Sequence, residues 1–209
     1  KPGVKEALSF TGNLSKDIDI FGGDLDSPFP LKAVNKNYDF LISYISPWIV
    51  PKEVLYNTKK ANINFHPGPP EYPGIGCLNF AIYDSAKQFG ATAHIMEPKV
   101  DTGQIIGVKR FAMYDGETVE SLSKKTYSVQ LVLYKEIIEY ILANDSLPVI
   151  NENWKRKPFK RSELEGLSTI KTSMSKEEIN KRIRATFYAG KPAPFIEIFG
   201  YKFEYNPDR

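Results

Sequence analysis

Apolar positions change period along the chain, and each change marks an element. Phe40-Leu41-Ile42-Ser43-Tyr44-Ile45 is a continuous apolar run of strand length, the pattern of a strand buried on both faces. Pro47 and Pro51 stop it, and Pro51 suits the first turn of a short helix reaching Lys59. Asn62-Ile63-Asn64-Phe65 predicts a second strand, Ala91 to Met96 a third and Ile105 to Phe111 a fourth. A proline- and glycine-rich loop, Pro67 to Gly76, follows the second strand. It leads into a helix with Leu78, Ala81, Ile82 and Ala86 at helical spacing. Residues 117–143 predict the longest helix, with Leu122, Val129, Leu133, Ile137 and Ile141 on one stripe and Lys and Glu opposite. Strands alternating with helices imply an α/β fold, a Rossmann-like, mostly parallel sheet with helices on both faces.

The two ends read differently. Residues 4–10 suit the end of a helix, and Ile18, Ile20 and Leu25 a short strand interrupted by Gly22 and Gly23, so the N-terminal part reads as incomplete. Composition shifts at Leu147, dividing the chain into 1–146 and a small α+β appendage, 147–209. In the appendage, residues 151–172 are polar and basic. Ser175 with Glu178 forms a capping box that opens a helix to Thr186. Phe195 to Phe199 and Tyr201 to Tyr205 alternate around Gly200, the pattern of a terminal hairpin.

Composition narrows the class. With 42% hydrophobic and 25% charged residues among 209, the chain is neither collagen-like nor disordered. Its 28 Lys and Arg against 25 Asp and Glu leave +3 without blocks, which argues against a dedicated nucleic-acid binder. One cysteine cannot form an internal disulfide or a multi-thiolate metal site, so no metal is expected. No apolar run approaches the ~18–20 residues of a membrane span, and a cytoplasmic protein is expected.

Chemistry concentrates at one strand end. His66 closes the second strand and opens a rigid loop, and in open α/β sheets ligands gather at carboxyl ends of strands. Asn64, two residues earlier, projects to the same side. Asp101, in the loop between the third and fourth strands, could reach the imidazole, favour its charged form and raise its pKa. The trio would supply two donors to a developing oxyanion and an acceptor for protons released by a nucleophile. No serine or cysteine is placed as a covalent nucleophile, so the attacking group should come from the substrate. Plainer readings stand beside these: His66 as a satisfied polar residue, Asn64 as a turn residue and Asp101 as a cap. His94, mid-strand, reads as structural. Cys77 reads as a small buried residue rather than an activated thiol, and the 155–161 basic run as solvated surface rather than a phosphate contact.

Asn64-Phe65-His66-Pro67-Gly68, Tyr72-Pro73-Gly74 and Val100-Asp101-Thr102-Gly103 resemble the N10-formyltetrahydrofolate-dependent formyltransferases. The resemblance spans Asp39 to Leu142 and implies a catalytic domain over 1–146. Asn64, His66 and Asp101 would be its catalytic trio, with N10-formyltetrahydrofolate as co-substrate. The pterin would lie between Trp48, Ile49 and Val50 on one loop and Met96, Glu97, Pro98, Lys99 and Val100 on another. Pro69-Pro70 stands where the family often has a cis bond. Residues 64–76, with Arg182 to Thr186 and the terminal strands, are most similar to the nucleotide-sugar branch. That branch formylates amino sugars linked to dTDP, UDP or GDP for surface glycans such as O-antigen, often as homodimers. Tyr72, Asn79 and Trp154 are the expected substrate contacts. The alternatives are transfer to methionyl-tRNA or glycinamide ribonucleotide, or a non-catalytic folate or sugar-nucleotide binding module.

Overall fold

The structure, a computed structural model, describes residues 2–15, 17–24, 26–34 and 36–208. The elements run α1 (Val4–Leu14), α2 (Leu31–Val34), β1 (Phe40–Tyr44), α3 (Lys52–Tyr56), β2 (Ala61–His66), α4 (Cys77–Tyr83), β3 (Gln88–Ile95) and β4 (Ile105–Ala112). After these come α5 (Val119–Asn144), α6 (Arg161–Ser168), β5 (Thr169–Ile170), α7 (Lys176–Thr186), β6 (Phe195–Ile198) and β7 (Tyr201–Glu204). No strand forms over Ile18 and Ile20, and Leu25 lies outside the described residues.

The main sheet has the order β1-β2-β3-β4. β1 and β2 pair in parallel, whereas β3 is antiparallel to both β2 and β4. Three strands therefore run one way and β3 runs against them. The α/β architecture stands, but the sheet is mixed because the short 96–104 connection returns β4 beside β3 without a crossover helix. β1 lies at the edge, so its side chains are half-buried apart from buried Ser43, not enclosed on both faces.

Side-chain alternation makes the sheet two-faced. Ile63 and Phe65 of β2 and Ala91 and Ala93 of β3 pack against Leu133, Tyr134 and Ile137 of α5. The small residues let the helix approach closely. A Cβ on Gly107 would meet the Ile137 Cδ1 at 2.9 Å. α5 is started by a capping box in which the Thr118 side chain accepts from the Ser121 amide and Ser121 Oγ accepts from the Thr118 amide. The opposite face of the sheet carries Asn64, His66, Thr92 and His94, with Asn64 registered against His94 and His66 against Thr92. Polar side chains at core-facing strand positions are costly unless they are partnered.

Residues 147–209 do not stand apart from the rest. Phe159, Leu167 and Ala185 join Cys77, Phe80, Ile82, Phe89 and Leu122 in a second buried cluster, and the Phe159 and Phe80 rings stack at 3.7 Å. α7 packs on α4, and the Ser175 hydroxyl accepts from the Glu178 amide as its cap. A second sheet, β5-β6-β7, pairs β5 with β6 in parallel and β6 with β7 as a hairpin. Its two turn residues, Phe199 and Gly200, have φ of 51° and 81°, the left-handed pair that suits hairpin twist.

Candidate active site

β2, β3 and the 96–104 loop bring four polar side chains together. His66 Nδ1 lies 3.2 Å from Asp101 Oδ2, and His94 Nε2 lies 3.2 Å from Asp101 Oδ1. Asn64 Nδ2 is 3.1 Å from His94 Nε2. The Gly74 amide donates to Asp101 Oδ2 at 2.8 Å, and His66 Nε2 donates to the Tyr72 carbonyl at 2.9 Å. The expected trio therefore converges, and one carboxylate sits between two imidazoles. The mid-strand position of His94 predicts only a structural role. The available signal was the two-residue phase it shares with Thr92 on a face opposite Ala91 and Ala93.

Backbone strain marks the same place. Asp101 has φ of 47°, and Ile45, at the start of the loop toward Trp48, has φ of 53°. Non-glycine residues in this region are uncommon and gather at functional sites. A register shift between Ala93 and His94 re-aims the His94 ring.

Electrostatics partly reverse the sequence argument. Burial pulls the His66 imidazole below its ordinary pKa, outweighing the upward pull of the Asp101 carboxylate and the Tyr72 carbonyl. The expectation of a raised value is thus corrected, because it left out the desolvation of a ring that is 4% exposed. For Asp101, burial pushes the pKa up, but His66, His94 and the Gly74 amide overcome it and hold the carboxyl at about 2. A neutral His66 would withhold its share of that pull, yet the Gly74 amide still donates, so Asp101 remains a carboxylate either way. Cys77 is buried, with its thiol pushed up to about 12 by desolvation, and its Sγ faces the Pro67 carbonyl at 3.2 Å. It is inert.

A cavity of roughly 430 Å³, open to solvent, adjoins the cluster. Its polar end is Asn64, His94 and Asp101, and its apolar walls are Trp48, Ile49, Val50, Met96 and Val100, with Glu97 at the rim. The Trp48 indole N–H is spent on the Ser27 carbonyl at 2.8 Å, so its ring serves as wall. Pro98 and Lys99 are exposed and do not line the cavity. His66 lies behind Asp101, beneath the 67–76 loop, where a Cβ on Gly68 would come within 2.6 Å of its Nε2.

The expected substrate contacts divide. Tyr72 holds His66 through its carbonyl while its ring lies parallel to Phe159. Trp154 meets His94 edge-on at 5.1 Å and His66 at 6.0 Å, and its indole N–H donates to the Gly103 carbonyl, so it roofs the two imidazoles. Asn79 is a correction: its amide donates to the Ala185 carbonyl across the α4–α7 contact, away from the cavity. The Pro69–Pro70 bond is also a correction, because no cis peptide occurs among the described residues. Among those residues no group of His, Cys, Asp or Glu is arranged to hold a metal ion, and no helix is long and apolar enough to cross a membrane.

Residues 31–138 match the family model described as formyl transferase. Methionyl-tRNA formyltransferase of Thermodesulfovibrio yellowstonii is 32% identical over 110 residues, covering 52% of this chain and 35% of its own. GDP-perosamine N-formyltransferase of Brucella melitensis is 26% identical over 169 residues, covering 80% of this chain and 64% of its own. The chain thus spans a third to two thirds of these curated relatives. A sugar N-formyltransferase structure from Shewanella sp. FDAARGOS_354 superposes with a TM-score of 0.76 at 17% identity, covering 97% of this chain and 90% of that one, a likeness of fold.

Proposed function

The chain belongs to the formyl transferase family, and from that premise we propose that it moves a formyl group from N10-formyltetrahydrofolate to the amino group of a nucleotide-linked amino-deoxy sugar. The observation that carries the transferase reading is the meeting of Asn64, His66 and Asp101 beside an apolar-walled cavity. Such a cavity suits a heteroaromatic ring recognised by backbone groups at its edge.

In this reading the pterin enters between Trp48 and Met96, presenting the formyl carbon near Asn64. The amine arrives from the side of the 67–76 loop, where His66 Nε2 exchanges the Tyr72 carbonyl for substrate. Attack forms a carbon–nitrogen bond, and the Asn64 amide donates to the tetrahedral oxyanion. Once Nε2 leaves the Tyr72 carbonyl, a His66 kept neutral by burial and carrying its one proton on Nδ1, donated to Asp101 Oδ2, can take the amine proton at Nε2, and the Asp101 carboxylate offsets the charge so created. Collapse breaks the bond to N10, which takes up that proton, giving tetrahydrofolate and an N-formyl sugar. Removing an oxyanion donor of this kind costs about 2.7–4 kcal/mol of transition-state stabilisation.

The sugar assignment draws on the 64–76 loop and on the named activity of the Brucella relative. A second reading, transfer to methionyl-tRNA, is favoured by the 32% identity of the Thermodesulfovibrio relative. Against it, two cations near the loop are already paired, Arg110 with Glu71 and Glu152 and Arg156 with Glu163. Formyl transfer measured against dTDP-, UDP- and GDP-linked 3- and 4-amino-deoxyhexoses decides between them. Activity only on charged tRNA, falling steeply with salt, removes the sugar acceptor. Ligand binding without turnover in the wild type would leave a binding module instead.

A further inference from the structure

α5 meets the sheet through a stripe of buried side chains, and Thr126 and Gln130 stand among them. Both are fully buried, one helical turn apart, on the stripe that continues through Leu133 and Ile137. The Thr126 hydroxyl donates at 2.7 Å to the Leu122 carbonyl of its own helix. Gln130 reaches further. Its Nε2 donates at 2.6 Å to the Phe65 carbonyl, 65 residues earlier on β2. Among the described residues its Oε1 has no partner, and a buried acceptor left unmet is costly. A methionine would fill the same space without that cost, so packing does not account for the amide. What the amide adds is its hold on Phe65.

Phe65 lies between Asn64 and His66. β1 follows β2 only as far as the Tyr44–Phe65 pair, and Ile45 then turns away with φ of 53°. His66 is paired on the other edge alone, with Thr92. We propose that Gln130 is a positioning residue for formyl transfer, anchoring from α5 the peptide unit that joins Phe65 to His66. A peptide unit is planar, so a bond to the Phe65 carbonyl also fixes the His66 nitrogen and Cα. The imidazole is carried on that Cα, and its Nδ1 has to stay within reach of Asp101. A displacement of about 1 Å at such a site costs on the order of 100-fold in rate. Gln130 acts through His66 and does not line the cavity.

The inference rests on the transferase reading, and its test separates the two. In the full chain, Gln130→Met removes the donor at nearly constant volume. Thr126→Val removes a buried hydroxyl that bonds only its own helix. Expected is a fall in kcat of about 100-fold for Gln130→Met, with KM for the formyl donor within about threefold. Thr126→Val should keep both constants within about threefold of wild type. A helix that needed its polar residues for stability alone would give the two variants equal losses. The carbon–proton NMR signal at Cε1 of the His66 ring reads the displacement without turnover. It should move in Gln130→Met and hold in Thr126→Val. Wild-type kcat in Gln130→Met, an unmoved His66 signal there, or equal losses in both variants overturns the proposal. Should Gln130→Met fail to fold, Gln130→Asn decides, since its amide is one methylene too short to reach Phe65 and the same fall is expected. If the wild type formylates no amine, the transferase reading falls, while the NMR comparison still decides whether Gln130 places His66.

Discussion

At Asp101 the backbone and the side chain make separate demands. The left-handed φ of 47° tolerates Asn nearly as well as Asp, so Asp101→Asn removes the charge without adding backbone strain. That substitution should lower kcat by roughly 10²–10⁴-fold, as loss of acid–base assistance does, while circular dichroism stays native. The same carboxylate links stability to acid. Its folded value of about 2 lies below the ordinary 3.8, so its contribution is present above 3.8 and is lost as pH falls toward 2. At about 1.36 kcal/mol per unit, the loss is at most roughly 2 kcal/mol, because a neutral His66 withholds its share of the downward pull. His66 acts in the same sense. Its folded value is also lowered, so the unfolded chain takes up the proton first as pH drops below 6.5, and stability falls there too. Urea midpoints between pH 8 and 2 should therefore decline in two stages. Asp101→Asn should flatten the more acidic stage and His66→Gln the earlier one. A midpoint indifferent to pH in the wild type would contradict both burial arguments.

At the scale of elements, the 67–76 loop is clamped between the site and the 155–160 segment. Gly74 bridges to Phe159 while its amide holds Asp101. A Cβ there would meet both the Phe159 nitrogen and oxygen at 2.5 Å, on a backbone with φ of 89°. Gly74→Ala should cost about 1–3 kcal/mol of stability for strain alone and more than tenfold in kcat, because the Asp101 donor moves. Gly116 has the same φ of 89° with nothing within 4 Å of its Cβ position. Gly116→Ala should show the strain in a urea titration and leave kcat alone, and a matching loss of activity in both variants would remove the clamp argument. This loop also shows what a sequence can disclose. Asn64 and His66 share a strand phase, and Asp101 follows a strand, so their convergence was readable from period and order. The direction of β3 was not, because an eight-residue strand beside a short loop has the same pattern whichever way it runs. α6 was hidden within a polar, basic stretch, since its Leu164 and Leu167 cover too little of one face to set a helical period. His94 and Trp154 carry no local motif. Their roles come from tertiary placement, one by cross-strand register with Asn64 and the other by contact across the chain to Gly103.

For the whole molecule, the question is whether 1–146 can work without 147–209. The shared cluster argues that it cannot. Phe159, Leu167 and Ala185 come from the later part and close over Phe80, Ile82 and Phe89 of the earlier one. Losing a buried phenylalanine costs about 3–5 kcal/mol and a leucine about 2–5. Even the low ends of these two together reach the lower bound of a typical domain stability, ~5 kcal/mol. Trp154 would leave with them, exposing His66 and His94 to water and removing the burial that keeps His66 neutral. A chain ending at Ser146 should therefore lose cooperative unfolding and all transfer activity, not merely its choice of acceptor. The terminal strand is different in kind. β7 is exposed at every residue and reaches the body through the Phe195–Ile198 strand and the Phe187–Tyr205 ring contact. Removal of 200–209 should leave the His66–Asp101–His94 cluster in place and lower the thermal midpoint by only a few degrees, for about 1 kcal/mol. If the shorter truncation instead abolished activity as thoroughly as the longer one, the hairpin would have to contribute to the site from outside this chain's own fold, and a second copy would be the first place to look.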